Sequence, residues 1–210
     1  MRARQLVLPG LCLTLAGAIL VAGPLTPPAG PVSPTYRTLA EIEPRIPVGP
    51  STTPGDADSV YRISQPGSYY LTADVIGQAG KDGIEIAAEN VTLDLNGFTL
   101  RGVASSKSGI DANETPSPYC TIKNGHVQGW GQDGLVGNLV GAWVLTDVKF
   151  RNNGGNGMTI NSGTVCTRCY FTGNALNGCS TSNHVEFTQC FAGQNGQHGF
   201  AAGSDSQFVG

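Results

Sequence analysis

The sequence predicts an all-β solenoid, a right-handed parallel β-helix of about five to six coils of roughly 21–29 residues. Three observations predict it. Residues recur at a spacing of 21: Val148, Cys169 and Cys190; Asn153, Asn174 and Asn195; Gly157, Gly178 and Gly199. Within each repeat the apolar residues follow one template, with Trp143, Leu145, Val148 and Phe150 answered by Thr164, Cys166, Cys169 and Phe171, then by Val185, Phe187, Cys190 and Ala192. A spacing of two marks a strand, and the change of phase inside each set marks a bend. Each repeat then opens another strand with Gly and an apolar residue, as in Gly157-Met158, Gly178-Cys179 and Gly199-Phe200. No leucine consensus accompanies this period, which excludes a leucine-rich repeat.

Such a repeat closes its backbone account only by stacking. Each strand pairs with its equivalent one coil along, about 4.8 Å away, and inward side chains rest on like residues. The Asn column is expected at a tight left-handed bend, its amides bonded to one another along the axis.

The chain has 210 residues, and its start reads as a targeting segment. In residues 1–30, Arg2 and Arg4 precede an apolar run from Leu6 to Ala22, with small residues following it: a signal peptide. An uncleaved anchor is the alternative; Pro9 and Gly10 interrupt the run, which is short for a span. The expected location is secreted, periplasmic or cell-surface, with no membrane span after cleavage. Losing Arg2 and Arg4 takes the formal charge from −3 to −5. With no basic stripe, a nucleic-acid partner is excluded.

Residues 31–58 read as a Pro-rich linker or arm. Residues 59–82 read as an N-terminal cap, two strands around Gln65-Pro66-Gly67-Ser68, because the first coil of a solenoid exposes an unpaired edge. The β-helix is expected over 83–210. Its first coil puts Val91, Leu93, Asn96 and Phe98 in the columns of Trp143, Leu145, Val148 and Phe150. The step from Val91 to Cys120 is longer and implies a protruding loop around Glu114-Thr115-Pro116. The sequence stops mid-coil, which predicts a truncated form of a longer chain or an edge covered by a partner, including end-to-end association through the uncapped coil.

Beyond the leader, Cys120, Cys166, Cys169, Cys179 and Cys190 all fall on inward columns. Buried free thiols are the expectation, with a Cys169–Cys190 disulfide and a metal site as alternatives.

Two stretches carry a resemblance. Gln65-Pro66-Gly67-Ser68-Tyr69-Tyr70-Leu71 and Val91-Thr92-Leu93-Asp94-Leu95-Asn96-Gly97-Phe98 resemble the entry region of exported bacterial right-handed β-helix proteins of the pectate-lyase-like superfamily, and the repeats after Ile122 resemble their generic coil. The resemblance implies architecture; that superfamily includes lyases, hydrolases, epimerases, tailspikes and adhesins, so it selects no chemistry.

A lyase of that superfamily needs Ca²⁺ held by acidic residues on adjacent coils. Glu85 and Asp111 are each the second residue after a coil-opening Gly, so they should stack and form the metal candidate, although Val136 follows them in the column. No other cofactor is implied. No Asp pair accompanies His198, so a polygalacturonase-like acid–base set is incomplete. The most suggestive outward surface combines His126, Lys149, Arg151, Arg168 and Tyr170, cations beside an aromatic ring that suit an anionic polysaccharide. The expected function is a non-catalytic β-helix protein of the cell surface or envelope that binds such a glycan. The alternative is a polyuronate lyase or hydrolase whose active groove is incomplete in this chain.

Overall fold

The computed structural model describes residues 42–114, 119–137 and 141–210. The leader at 1–30, most of the arm read at 31–58 and positions 115–118 of the protruding loop lie outside the described residues.

The described residues form 17 strands wound into a parallel β-solenoid of about seven coils. Each coil feeds three stacks. The first sheet runs through Ser59–Ile63, Asp82–Ile86, Ile110–Asp111 and Leu135–Gly137, then the opening halves of Met158–Thr167 and Cys179–Thr188, then Phe200–Ala201. The second runs from Ile46–Pro47 through Gly67–Tyr70 and Val91–Asp94 to Gln207–Val209. The third holds Val75–Ile76, Thr99–Arg101, the closing halves of Tyr119–Gln128 and Ala142–Arg151, then Tyr170–Thr172 and Phe191–Gly193.

The 21-residue template appears as register. Cys120, Trp143, Thr164 and Val185 are successive partners, as are Ile122, Leu145, Cys166 and Phe187, and all are buried. Phe150 and Phe171 stack with ring centroids 5.3 Å apart. The coil-opening glycines are required by backbone contact: a Cβ on Gly157 would lie 2.4 Å from the Gly178 carbonyl oxygen, and one on Gly178 would lie 2.4 Å from that of Gly199. Those same oxygens accept from Met158 N and Cys179 N, so neither can retreat without losing a ladder bond.

Four expectations need correction. The coils number about seven rather than five to six, because residues 59–76 form a coil of their own. Ser59–Ile63, Gly67–Tyr70 and Val75–Ile76 pair in parallel with the next coil instead of folding on themselves, and Ile46–Pro47 pairs with Tyr69 and Tyr70. The Asn ladder exists, with Asn153 Nδ2 donating to Asn174 Oδ1 and Asn174 Nδ2 to Asn195 Oδ1, both at 3.0 Å. The left-handed backbone, however, falls one residue earlier, at Asn152, Gly173 and Gln194, which turns the ladder amides inward. Finally, Leu100, not Phe98, shares the column of Val127 and Phe150. Its coil spends two left-handed residues, Asn96 and Gly97, where later coils spend one, and the displaced Leu95 fills the space beside Gly125.

The five described cysteines are free, four of them buried and Cys190 half-buried. Cys169 N donates to Cys190 Sγ at 3.4 Å, so the two sit one coil apart in the interior. Burial pushes the Cys120 thiol up to about 12 and that of Cys179 well above its ordinary value, as expected of thiols used as packing.

Candidate functional site

The bend between the second and third sheets places one left-handed residue per coil: Asn124, Asp147, Arg168 and Gln189, with φ between 51° and 59°. Two residues later each chain enters the third sheet, whose outward column is Thr99, His126, Lys149, Tyr170 and Phe191 in successive register. Between the two columns lies a groove of about 480 Å³ along the solenoid axis, floored by Gly97 and Gly125.

Four of the five residues singled out from the sequence line this groove: His126, Lys149, Arg168 and Tyr170. Arg151 stands in the adjoining outward column, between Gln128 and Thr172. Their roles differ. Arg168 donates through Nε and Nη2 to both carboxylate oxygens of Asp147, at 2.7 and 2.6 Å, so much of its charge is answered within the groove wall. Lys149 Nζ sits 5.8 Å from the centroid of the Tyr170 ring, and neither Lys149 nor Arg151 forms an ion pair among the described residues. Burial, followed by the charges of Lys149 and Arg151, lowers the His126 pKa, which makes it a neutral hydrogen-bonding group rather than a further cation.

One cation of this face escaped the sequence template. Arg101 is the register partner of Gln128, which in turn pairs with Arg151, so two arginines stand two coils, roughly 10 Å, apart on one column. Placing Leu100 in the Phe150 column would have revealed it. Phe191 follows Tyr170; the rings are 44% and 54% exposed for Tyr170 and Phe191, with centroids 6.1 Å apart. Together they form an aromatic platform open to solvent.

A second charged feature lies on the first sheet. Glu85 and Asp111 are register partners, as their spacing after Gly83 and Gly109 predicts, and Val136 follows them. The same column begins with Arg62, the partner of Glu85. Its guanidinium binds Glu85 Oε1, reaches Glu114 Oε2 at 2.7 Å and lies 3.3 Å from Asp56 Oδ2. Arg62 was missed because its strand was read as a cap. Asp58, Asp82, Glu85, Lys107, Asp111 and Glu114 surround a cavity of about 310 Å³. Burial raises the carboxyls of Asp82, to about 6, and of Asp111. Among the described residues no group of three or more His, Cys, Asp or Glu side chains is arranged to hold a metal ion.

His198, considered for acid–base work, is a corner residue: its backbone N–H donates to Asn177 Oδ1, whose amide in turn donates to Asn156 Oδ1. No helix among the described residues is long and apolar enough to cross a membrane. No family model, no curated protein and no solved structure matches the chain. The groove and the cavity therefore rest on their own geometry.

Proposed function

We propose that this is an exported, non-catalytic β-helix protein of the cell surface or envelope that holds an anionic polysaccharide along its third sheet. The observation that carries the reading is the coincidence of cations and exposed rings on one face: Lys149 and Tyr170 line the groove, Phe191 continues their column, and Arg151 and Arg101 stand in the adjoining one, the three cations forming no ion pair among the described residues. Strand spacing sets these side chains at a fixed repeat along the axis, which suits a ligand that is itself a linear repeat. Carboxylates of a polyuronate would meet the guanidinium and ammonium groups, sugar faces would rest on the rings, and His126 would bond hydroxyls. The apolar run after Arg2 and Arg4 supports export, and the resemblance at Gln65–Leu71 and Val91–Phe98 supports a relation to the pectate-lyase-like superfamily of exported bacterial proteins.

The test is affinity electrophoresis through gels containing polygalacturonate or alginate. Wild type should be retarded, increasingly so at low salt, and the Lys149→Ala/Arg151→Ala variant should lose most of that retardation. Equal mobility of the two proteins would dismiss the reading. Growth of the ultraviolet absorbance of an unsaturated uronate during incubation would replace it with a lyase.

A further inference from the structure

Packing accounts for Cys120 and Cys179, each sealed inside the solenoid, but it leaves the arrangement of Cys169 and Cys190 unexplained. Thr167 pairs with Thr188 and Tyr170 with Phe191, so the two cysteines between those pairs occupy one column on adjacent coils. Neighbouring strands lie about 4.8 Å apart, inside the range of about 4.4–6.8 Å between Cα atoms that a disulfide spans. Backbone bonds hold this register, with Arg168 N donating to Thr188 O and Phe191 N to Cys169 O, both at 2.9 Å.

The sulfurs are turned toward each other. Cys190 Sγ lies 3.4 Å from Cys169 N and 3.3 Å from Cys166 O, against the backbone of the preceding coil. The Cys169 thiol in turn is in hydrogen-bond contact with the thiols of Cys166 and Cys190. On the other side of Cys169 the column continues with Val148, which offers no sulfur. Cys190 is half-buried while Cys166 and Cys169 are enclosed, so the pair has one member that a dissolved reagent can reach.

We propose that Cys169 and Cys190 are a redox-active pair that closes into a disulfide between adjacent coils when a small-molecule disulfide, such as oxidised glutathione, is supplied. In the first step the Cys190 sulfur, its proton released to solvent, attacks one sulfur of the reagent and expels a glutathione thiolate. In the second, Cys169 Sγ attacks Cys190 Sγ of the mixed disulfide and expels the other glutathione, which takes up the Cys169 proton. Two protein thiols are oxidised to one disulfide, and the reagent is reduced to two thiols. Hydrogen bonding to Cys169, followed by burial, raises the Cys190 thiol above its ordinary range, which makes the first step slow. The bridge lies directly beneath the aromatic platform, because Tyr170 and Phe191 are the residues that follow the two cysteines. It closes one 21-residue step of the repeat and so restrains the unfolded chain while keeping the native register.

The test incubates the full chain with oxidised glutathione in mildly alkaline buffer, blocks the remaining thiols and digests with trypsin and chymotrypsin. Cuts after Arg168, Tyr170 and Phe187 separate Cys166, Cys169, Cys179 and Cys190. The expected result is the loss of two of the six thiols and a linked species joining Cys169-Tyr170 to Thr188-Gln189-Cys190-Phe191. The oxidised protein should show a urea midpoint raised by about 1 M, returning to the reduced value with dithiothreitol. Cys190→Ser should show neither the linked species nor the shift; if that variant fails to fold, the wild-type peptide map decides alone. An unchanged thiol count, a Cys166–Cys169 link, a glutathione adduct that persists on Cys190, or a bridged form whose midpoint does not rise overturns the proposal. None of these outcomes depends on polysaccharide binding, so the two readings stand or fall separately.

Discussion

On the third sheet, charge stands in the open: Lys149 and Arg151 project from an exposed surface, and even the bidentate Arg168–Asp147 pair has both partners over 40% exposed. On the first sheet, two coils nearer the start of the chain than Lys149, Glu85 and Asp82 are almost wholly enclosed and depend on Arg62 and Lys107. Both surfaces use outward positions of the same repeat. The difference comes from the loops. The regular 21-residue coils have short corners and leave their faces bare, whereas the longer steps between Gly83 and Cys120 bring Glu114 and Lys107 over the sheet. A repeat thus supplies a regular array of exposed groups where it is uniform, and a walled cavity with shifted acidities where it is interrupted.

The largest effect should come from the scaffold that both surfaces share. In Gly157→Ala the new methyl meets the Gly178 carbonyl oxygen at 2.4 Å and the Asn174 amide at 2.8 Å, neither of which can yield cheaply. A loss of about 3 kcal/mol or more is expected in urea denaturation, with cavity and groove disrupted together. A wild-type midpoint would show that the coils can slide apart at this column.

Next comes Arg62→Ala, which strands Glu85 behind its strand partner. The cost should be about 2–3 kcal/mol, limited by the ability of Glu85 to take a proton, and Glu85→Gln in the same background should recover part of it. On the open face, Lys149→Ala should leave the urea midpoint almost unmoved. Equal losses at the two sites would erase the distinction drawn between them.

The acidity of Asp82 gives a smaller effect with a definite sign. Burial raises its pKa from 3.8 to about 6 in the folded chain, so the native state holds a proton that the unfolded state has released. Its contribution is therefore present below about pH 4 and is lost as the pH rises through 6. Asp82→Asn, which keeps an acceptor for Ser108 N, should flatten the pH dependence in that window and gain about 1–2 kcal/mol at pH 7 relative to wild type. A pH-independent difference between the two would place the carboxyl in a wetter setting.

What the sequence made legible follows from this same contrast. Wherever the period holds at 21, columns can be counted, and counting correctly placed the cysteines inside, the asparagines in a ladder and four groove residues together. Where the corner between the second and third sheets takes an additional left-handed residue, counting slips by two, and Arg101 was lost for that reason. Arg62 was lost because a first coil and a cap share the same strand signals; only the parallel partners, Tyr61 with Ile84 and Arg62 with Glu85, tell them apart. Of the walled cavity only the stacking of Glu85 on Asp111 was legible; the rest was not, since it depends on contacts between residues distant in sequence, such as Arg62 with Glu114.

The smallest effect expected isolates what an exposed pair contributes on the bare face. Arg168 occupies the left-handed region at φ 51°, a conformation that costs every residue with a Cβ and is free for glycine. Arg168→Ala removes the pair with Asp147 and keeps the backbone cost, while Arg168→Gly removes both. The alanine variant should therefore have a slightly lower denaturation midpoint than wild type, and the glycine variant should match or exceed it. Were the glycine variant as destabilised as the alanine variant, the ion pair would have to matter more than its exposure allows, and the open face would resemble the enclosed one after all.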